Sequence, residues 1–124
     1  MSEKYLVESG STGDVKISED VIATISILAA ETVEGVVKTQ SGLKSQAMDI
    51  IGRAMARGIK VSVGEAEAVI DLHITVEYGL NIVDIATKVQ DKVKDAVENM
   101  TGLTVVETNV HVSGIAVPDR KVKN

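Results

Sequence analysis

His73 and His111 are the side chains in this chain best suited to metal or acid–base chemistry, and they are its only histidines. Both fall on the polar side of a segment in which polar and apolar residues alternate. If these segments are neighbouring strands, Asp71, Glu77 and Glu107 lie on the same surface. Two imidazoles with carboxylates can bind zinc or iron. No close spacing such as H-x-x-x-H occurs, and an ordinary solvated sheet face predicts the same pattern, so the two histidines are only candidate ligands.

A basic cluster is the second candidate site. Lys44, Arg53, Arg57 and Lys60 occur close together in an acidic chain, with Asp49 as the only acid among them. The last three are spaced four and three residues apart, which would place them on one side of a helix. Such a cluster suits an acidic protein, a phosphorylated ligand or anionic lipid. We predict that it binds a partner, although a solvated loop whose charges bind nothing specific explains the cluster equally well.

Composition argues against several functional classes. The net charge is −5 and aromatic residues make up 2% of the chain, so a basic, aromatic nucleic-acid surface is not expected. The absence of cysteine excludes disulfides, thiolate metal sites and a cysteine nucleophile. The sequence contains neither a G-x-S-x-G elbow nor a phosphate-binding loop. We therefore expect a protein that is not an enzyme, with no catalytic residues and no cofactor.

Targeting signals are also missing from the sequence. No basic stretch followed by an apolar run marks a signal peptide, and no apolar run approaches the ~20 residues that span a bilayer. Together with the lack of cysteine, this predicts a cytoplasmic protein. Any position close to a membrane would have to come from a partner.

The clearest structural signal is a strand, a turn and a helix over residues 70–102. Apolar residues alternate along the strand, and Asn81 and Gly102 are suitable caps for the helix that follows. The predicted inner side of the strand is Ile70, Leu72, Ile74, Val76 and Tyr78. The predicted inner stripe of the helix is Ile82, Ile85, Ala86, Val89, Val93, Ala96, Val97 and Met100.

The remaining elements are predicted from caps, glycines and alternation. We predict strands at 14–17, 36–40, 59–63 and 103–112, and a helix that begins after Ser18 and ends near Val33. Its predicted inner stripe is Val21, Ile22, Ile25, Leu28, Ala29 and Val33. Because Ile27 and Ala30 are apolar too, this helix is expected to be covered on two sides, with a second subunit as one candidate cover. In the last strand, Thr104, Val106, Thr108, Val110 and Val112 are predicted to face one way, and Val105, Glu107, Asn109 and His111 the other.

These elements give the order β-α-β-β-β-α-β. We predict an α+β fold with two layers, in which two main helices pack on one face of a mixed sheet. Residues 14–115 form the single predicted domain. Residues 1–13, which end in SGSTG, and residues 116–124 are predicted to be flexible tails. The conformation of residues 41–58 is left open.

The chain resembles the alkaline-shock-protein family, the Gls-type envelope stress proteins of Gram-positive bacteria. The resemblance is carried by GDVKISEDVIATISILAAETVEGV at 13–36, GRAMARGIKVSVGEAE at 52–67, IDLHITVEYGLNIVDIATKVQDKVKDAVENMTGL at 70–103 and NVHVSGI at 109–115. It implies a small, non-enzymatic cytoplasmic protein, in some members tethered beneath the membrane by a small anchored partner. Another branch is associated with acetyl-CoA carboxylase genes. The family supplies no catalytic residues to transfer.

The function expected from the residues and the resemblance is a scaffold or adaptor in cell-envelope stress homeostasis. Its partners would be proteins, either a small membrane-anchored protein or acetyl-CoA carboxylase subunits, and it is expected to form a homo-oligomer. The alternative is a regulator of acetyl-CoA carboxylase and fatty-acid synthesis. A metal-dependent enzyme that uses His73 and His111 is the remote third hypothesis.

Overall fold

The computed structural model describes residues 5–10, 12–37 and 58–118. These residues form five strands and two helices. In chain order the elements are β1 (Tyr5–Gly10), β2 (Gly13–Ser18), α1 (Glu19–Ala30), β3 (Lys60–Val63), β4 (Glu67–Glu77), α2 (Ile82–Thr101) and β5 (Thr104–Ala116). The two helices and a mixed sheet confirm the predicted α+β fold.

The central element is β4, which pairs with β3 on one side and β5 on the other. The β3–β4 pair is antiparallel and the β4–β5 pair is parallel, with α2 forming the crossover between the two parallel strands. Ile70, Leu72, Ile74 and Val76 are all buried, as their alternation predicts. Tyr78, predicted on the same side, lies just beyond the end of the strand and is exposed. One face of the sheet therefore packs on the helices, while the other carries the polar residues of β4.

α2 follows the prediction closely. The Asn81 side chain accepts a hydrogen bond of 2.9 Å from the Asp84 N–H at the start, and Gly102 ends the helix in a left-handed conformation with φ 82°. Its fully or nearly buried residues are spaced four apart: Ile85, Val89, Val93 and Val97. The predicted stripe was too long at both ends, because Ile82 and Met100 are exposed beyond the part of the sheet that the helix covers.

α1 turns to the core a face that matches the predicted one only in part: Ile22 and Val33 are buried, and Ile25 and Ala29 pack against the core as predicted. Its buried residues are Ile22, Ala23, Ser26 and Ala30. Val21 and Leu28, which we assigned to the inner stripe, are exposed. Both sides of this helix are apolar, so the apolar period alone does not select one face. The helix also ends at Ala30, before the predicted Val33.

The segment after α1 makes less strand than predicted. Val36 forms an isolated antiparallel bridge with Val76. The Glu77 N–H donates to Gly35 O, and the Val37 N–H donates to Thr75 O. Residues 38–40, the rest of the predicted strand, lie outside the described residues, as does nearly all of 41–58.

β5 contains two irregularities that overturn part of its predicted alternation. Its pairing with β4 shifts register at Val106 and again at Ser113. A bulge adds one residue to one strand and so switches which side chains face the core. Val105 is consequently buried and Val106 exposed, the reverse of the prediction. After the first bulge, Thr108, Val110 and Val112 are partly buried as expected.

The two termini of the described chain also differ from the predicted tails. Tyr5–Gly10 pairs antiparallel with β2, with Gly10 opposite Gly13 at the turn. The Gly- and Ser-rich run that we assigned to a flexible tail therefore contains the turn of a hairpin, which the same residue types favour. At the other end, β5 continues to Ala116. The limits of the predicted domain at 14 and 115 are otherwise untested and stay predictions.

Candidate functional site

The two histidines lie side by side on the open face of the sheet. β4 and β5 are parallel neighbours, and their register places His73 directly opposite His111. The imidazole rings are stacked, with 4.6 Å between their centroids and 19° between their planes. Asp71 lies on the same face, but Glu77 is four residues beyond His73, about 13 Å along the strand at ~3.3 Å per residue. The strands thus bring together only part of the predicted polar cluster.

The hydrogen bonds of this pair do not resemble a metal site. His111 Nε2 lies 3.4 Å from Asp71 Oδ1, and His73 Nδ1 lies 2.6 Å from Ser113 Oγ. The nitrogen lone pairs of the stacked imidazoles lie in nearly parallel planes, whereas the lone pairs of two ligands of one ion must converge on it. In the parts of the chain that the structure describes, no three His, Cys, Asp or Glu side chains are grouped so that they could hold a metal ion. Metal binding by these histidines stays a prediction.

The contact between Ser113 and His73 has the form of a nucleophile beside a general base. Both residues are exposed on a strand surface. An activated serine also needs a site that orients its substrate and excludes water, which an open sheet face does not provide. We therefore interpret the row formed by Asp71, His111, His73 and Ser113 as a polar, hydrogen-bonding surface.

The predicted basic cluster is only partly visible. Lys44, Arg53 and Arg57 lie outside the described residues. Lys60 begins β3 and is exposed, and its register opposite Asp71 places it on the open face of the sheet. Its partner-binding role, like that of the other three cations, stays a prediction.

An apolar surface at one end of the fold was missed by sequence reasoning. We call it the carboxyl-end patch: Tyr78, Leu80, Val83, Ile115 and Val117, all exposed. β4 and β5 are parallel, so both finish at this end, and the Tyr78 N–H donates to Ala116 O over 3.0 Å. Tyr78 and Val83 are 66% and 72% exposed, and exposed apolar side chains that are grouped in this way are typical of an interaction surface.

Three acidic residues of the described chain lie beside this patch. Glu77 ends β4, Asp84 lies in the first turn of α2, and Glu34 precedes the bridge between Val36 and Val76. All three are exposed, and the lysines of α2 begin one turn later at Lys88. The carboxyl-end patch is thus an apolar surface with a negatively charged rim.

The sequence did carry a signal for this patch. The turn between β4 and α2 contains Tyr78 and Leu80 where connecting segments usually have polar residues. We assigned Tyr78 to the apolar side of the strand because it continues the alternation. Only the observed end of β4 at Glu77 shows that this side chain lies beyond the core.

Within residues 5–10, 12–37 and 58–118, no helix combines the length and apolar character that crossing a membrane requires.

Comparison with known proteins identifies the family. The model of the alkaline shock protein 23 family, described as having a cell envelope-related function, matches residues 7–117. The chain belongs to this family. The match confirms the resemblance to alkaline-shock and Gls-type proteins and indicates a function related to the cell envelope.

Several curated relatives match most of the chain. The uncharacterized protein YloU of Bacillus subtilis is 33% identical over 108 residues, which cover 85% of this chain and 90% of YloU. The uncharacterized protein YqhY of the same organism is 30% identical over 109 residues, covering 87% and 81%. A stress response regulator gls24 homolog of Streptococcus pyogenes is 29% identical over 123 residues, covering 93% and 69%. Among solved structures, a variant of the MamM CTD aligns with a TM-score of 0.49 and 14% identity, covering 77% of this chain and 98% of that one.

Proposed function

We propose that this member of the alkaline shock protein family is a non-enzymatic adaptor of the cell envelope, which binds a protein partner through the carboxyl-end patch. The observation that carries the proposal is the exposure of five apolar side chains at one end of the fold. Exposed apolar clusters rimmed by polar residues are typical of protein-binding surfaces. The stress-related family adds the setting in which such an adaptor would act.

The charges around the patch specify what kind of partner would fit. Apolar side chains of the partner would cover Tyr78 and Val83, because these are the most exposed side chains of the patch and covering them removes apolar surface from water. Glu34, Glu77 and Asp84 would favour lysines or arginines beside those apolar residues, because opposite potentials across an interface steer association and select partners. An anionic membrane surface would be repelled by the same rim. The expected partner is therefore a protein segment with apolar residues flanked by basic ones.

The test compares two exposed apolar residues at opposite ends of α2. Val83 and Met100 are 72% and 69% exposed, so Val83→Ser and Met100→Ser remove similar surface without opening a cavity. Tagged wild type and both variants would be recovered from the native host after mild detergent treatment, with cross-linked partners identified by mass spectrometry. We expect Val83→Ser to lose an envelope partner that Met100→Ser retains.

A second pair of variants tests the acidic rim. Glu77→Gln combined with Asp84→Asn neutralises two charges while keeping side-chain size. We expect weaker capture of the same partner, with the loss largest at low ionic strength because screening already reduces rim attraction at high salt. Identical partner sets for wild type, Val83→Ser and the neutralised variant would contradict the proposal.

No observation in the described residues favours regulation of acetyl-CoA carboxylase or metal-dependent catalysis over the adaptor, and both stay predictions from the sequence.

A further inference from the structure

α1 has an outer surface without charge. The ten residues from Val21 to Ala30, VIATISILAA, include no acidic or basic side chain. The buried side of the helix is formed by Ile22, Ala23, Ser26 and Ala30. The opposite side displays the residues that we call the α1 stripe: Val21, Thr24, Ile25 and Leu28. Val21 and Leu28 are 43% and 38% exposed. Thr24 and Ile25 are partly buried, and Ile25, at the edge of the stripe, also packs against the core.

The one polar residue of the α1 stripe is apolar in effect. The Thr24 hydroxyl donates to Asp20 O over 3.0 Å, one turn back along its own helix. Its donor is thereby satisfied, and the residue adds a methyl group to the surface. The stripe as a whole therefore needs no water, and it can be covered by apolar surface without leaving a donor unpaired.

α2 shows that packing on this sheet does not require such a surface. The outer side of α2 carries the exposed residues Lys88, Asp91, Lys92, Lys94 and Asp95. Both helices cover the same sheet face, yet only α2 has the charged outer side typical of a helix that faces water. The uncharged α1 stripe is thus a property of α1 and not of the fold.

We propose that a second copy of this chain covers the α1 stripe. Each copy has a net charge of −5, so two copies repel each other over most of their surface. The stripe is a surface on which they can meet without placing like charges opposite each other. The acidic residues Glu19 and Asp20 at its start disfavour an anionic lipid surface as an alternative cover. This proposal does not depend on the adaptor function, since it rests on different residues.

The spacing of the stripe suits a symmetric contact. Val21 and Leu28 are equally distant from the midpoint between Thr24 and Ile25. An antiparallel α1–α1 pair related by a two-fold axis would place Val21 of each copy against Leu28 of the other, with Thr24 facing its own symmetry mate. α1 is about 18 Å long at ~1.5 Å per residue, so the buried area is small and the dimer is expected to be weak.

The chain offers a matched pair of positions for the test. Thr87 on α2 is exposed and donates its hydroxyl to Val83 O over 2.8 Å, the same contact that Thr24 makes on α1. Thr24→Glu and Thr87→Glu therefore add the same charge and remove the same hydrogen bond. Sedimentation equilibrium over a wide concentration range would measure dimerisation of wild type and both variants, with circular dichroism as the check on folding.

We expect Thr24→Glu to weaken dimerisation about a hundredfold or more, because two like charges meet near the two-fold axis. Thr87→Glu should change it little. Mixing Thr24→Glu with Thr24→Lys should restore association as a heterodimer, which only an interface between copies at this residue explains. Raising the salt concentration should strengthen the wild-type dimer, because it screens the repulsion between the two copies.

A cysteine variant tests the same contact without adding a charge that could disturb folding. The chain has no cysteine, so Thr24→Cys introduces a single thiol. Under mild oxidation we expect a disulfide-linked dimer from Thr24→Cys and much less from Thr87→Cys. The proposal would be overturned if the wild type were monomeric at every concentration, or if Thr24→Glu and Thr87→Glu weakened dimerisation equally. It would also be overturned if the α1 stripe bound a different protein and no second copy of this chain.

Discussion

α1 and α2 cover the same face of one sheet, but they differ in what they present to the outside. α2 is amphipathic, with buried residues every fourth position and charges around the rest. α1 is apolar on both sides and has no charge after its first turn. The inner faces of both helices build the fold. The difference between the outer faces indicates that α2 faces water and that α1 is suited to contact another molecule.

The largest expected effect comes from breaking the inner face of α2. Val93 is completely buried, so Val93→Asp places a carboxylate in the core with no partner to satisfy it. We expect a loss of about 3–5 kcal/mol in the free energy of unfolding, enough to unfold most of the protein. Urea denaturation followed by circular dichroism measures it.

Thr87→Asp is the control for Val93→Asp, because it adds the same group to the outer side of the same helix and should cost less than about 1 kcal/mol. If Val93→Asp melted like wild type, the face assigned to the core would be wrong.

The two helices also differ in how well the sequence predicts which of their residues are buried. α2 and β4 each have one apolar side, so their periodicity was enough to find Val89, Val93, Leu72 and their neighbours. In α1 the period fits two sides, and the buried one depends on how the helix meets the sheet. The prediction accordingly placed Val21 and Leu28 inside. The exposed side of α1 was visible only as a surplus of apolar residues.

Features created by strand pairing were beyond sequence reasoning. The bulge at Val106 exchanges the positions of two valines that look equivalent in the sequence. The stacking of His73 on His111 requires the parallel register of β4 and β5, which pattern alone does not give. The carboxyl-end patch likewise depends on where both strands stop. The residue pattern within each segment thus predicted the helices, the strands and their layers. The surface features depend on how the strands pair, which the pattern does not give.

The junction between the two helices provides the next prediction. A Cβ at Gly35, after α1, would lie 2.7 Å from Ile85 Cδ1 of α2, and Gly35 has φ 101°. We expect Gly35→Ala to lower the free energy of unfolding by about 2–3 kcal/mol, through backbone strain and crowding together. Thermal and urea denaturation would both report it.

Gly79 separates these two causes. It has φ 100°, but a Cβ there would meet nothing within 4 Å. Gly79→Ala should therefore cost only the strain, about 1 kcal/mol. Equal losses for the two alanines would mean that Ile85 moves aside freely, and that α1 and α2 are packed less tightly at this junction than the structure indicates.

Removing the N-terminal cap of each helix should have a smaller effect on stability, and the effect should differ between α1 and α2. The Asn81 side chain accepts from the Asp84 N–H at 2.9 Å, whereas Ser18 accepts from the Val21 N–H at the longer distance of 3.3 Å. Asn81→Ala should cost about 1 kcal/mol and Ser18→Ala roughly half of that. The reverse order in urea titrations would show that the start of α1 is held more firmly by its cap than that of α2.

The smallest effect concerns the end of α2, where a carboxylate joins the helix to the sheet. Glu98 Oε2 accepts hydrogen bonds from Lys94 Nζ at 2.9 Å and from the Val105 N–H at 2.8 Å. Chiefly the bond from Lys94, and then that from Val105, hold the pKa of Glu98 below its ordinary range. α1 contains no basic residue at all and so lacks this arrangement.

A lowered pKa in the folded state means that the unfolded chain binds the proton more readily. The ionised carboxylate therefore stabilises the fold above the ordinary glutamate range, and this contribution is lost as the pH falls through the folded pKa. Glu98→Gln keeps an acceptor for the Val105 N–H but removes the charge. Urea denaturation across the acidic range should show a steeper decline for wild type, with the two curves converging at the lowest pH. Parallel curves would mean that solvent screens the contact with Lys94, and that the two helix ends are electrostatically alike.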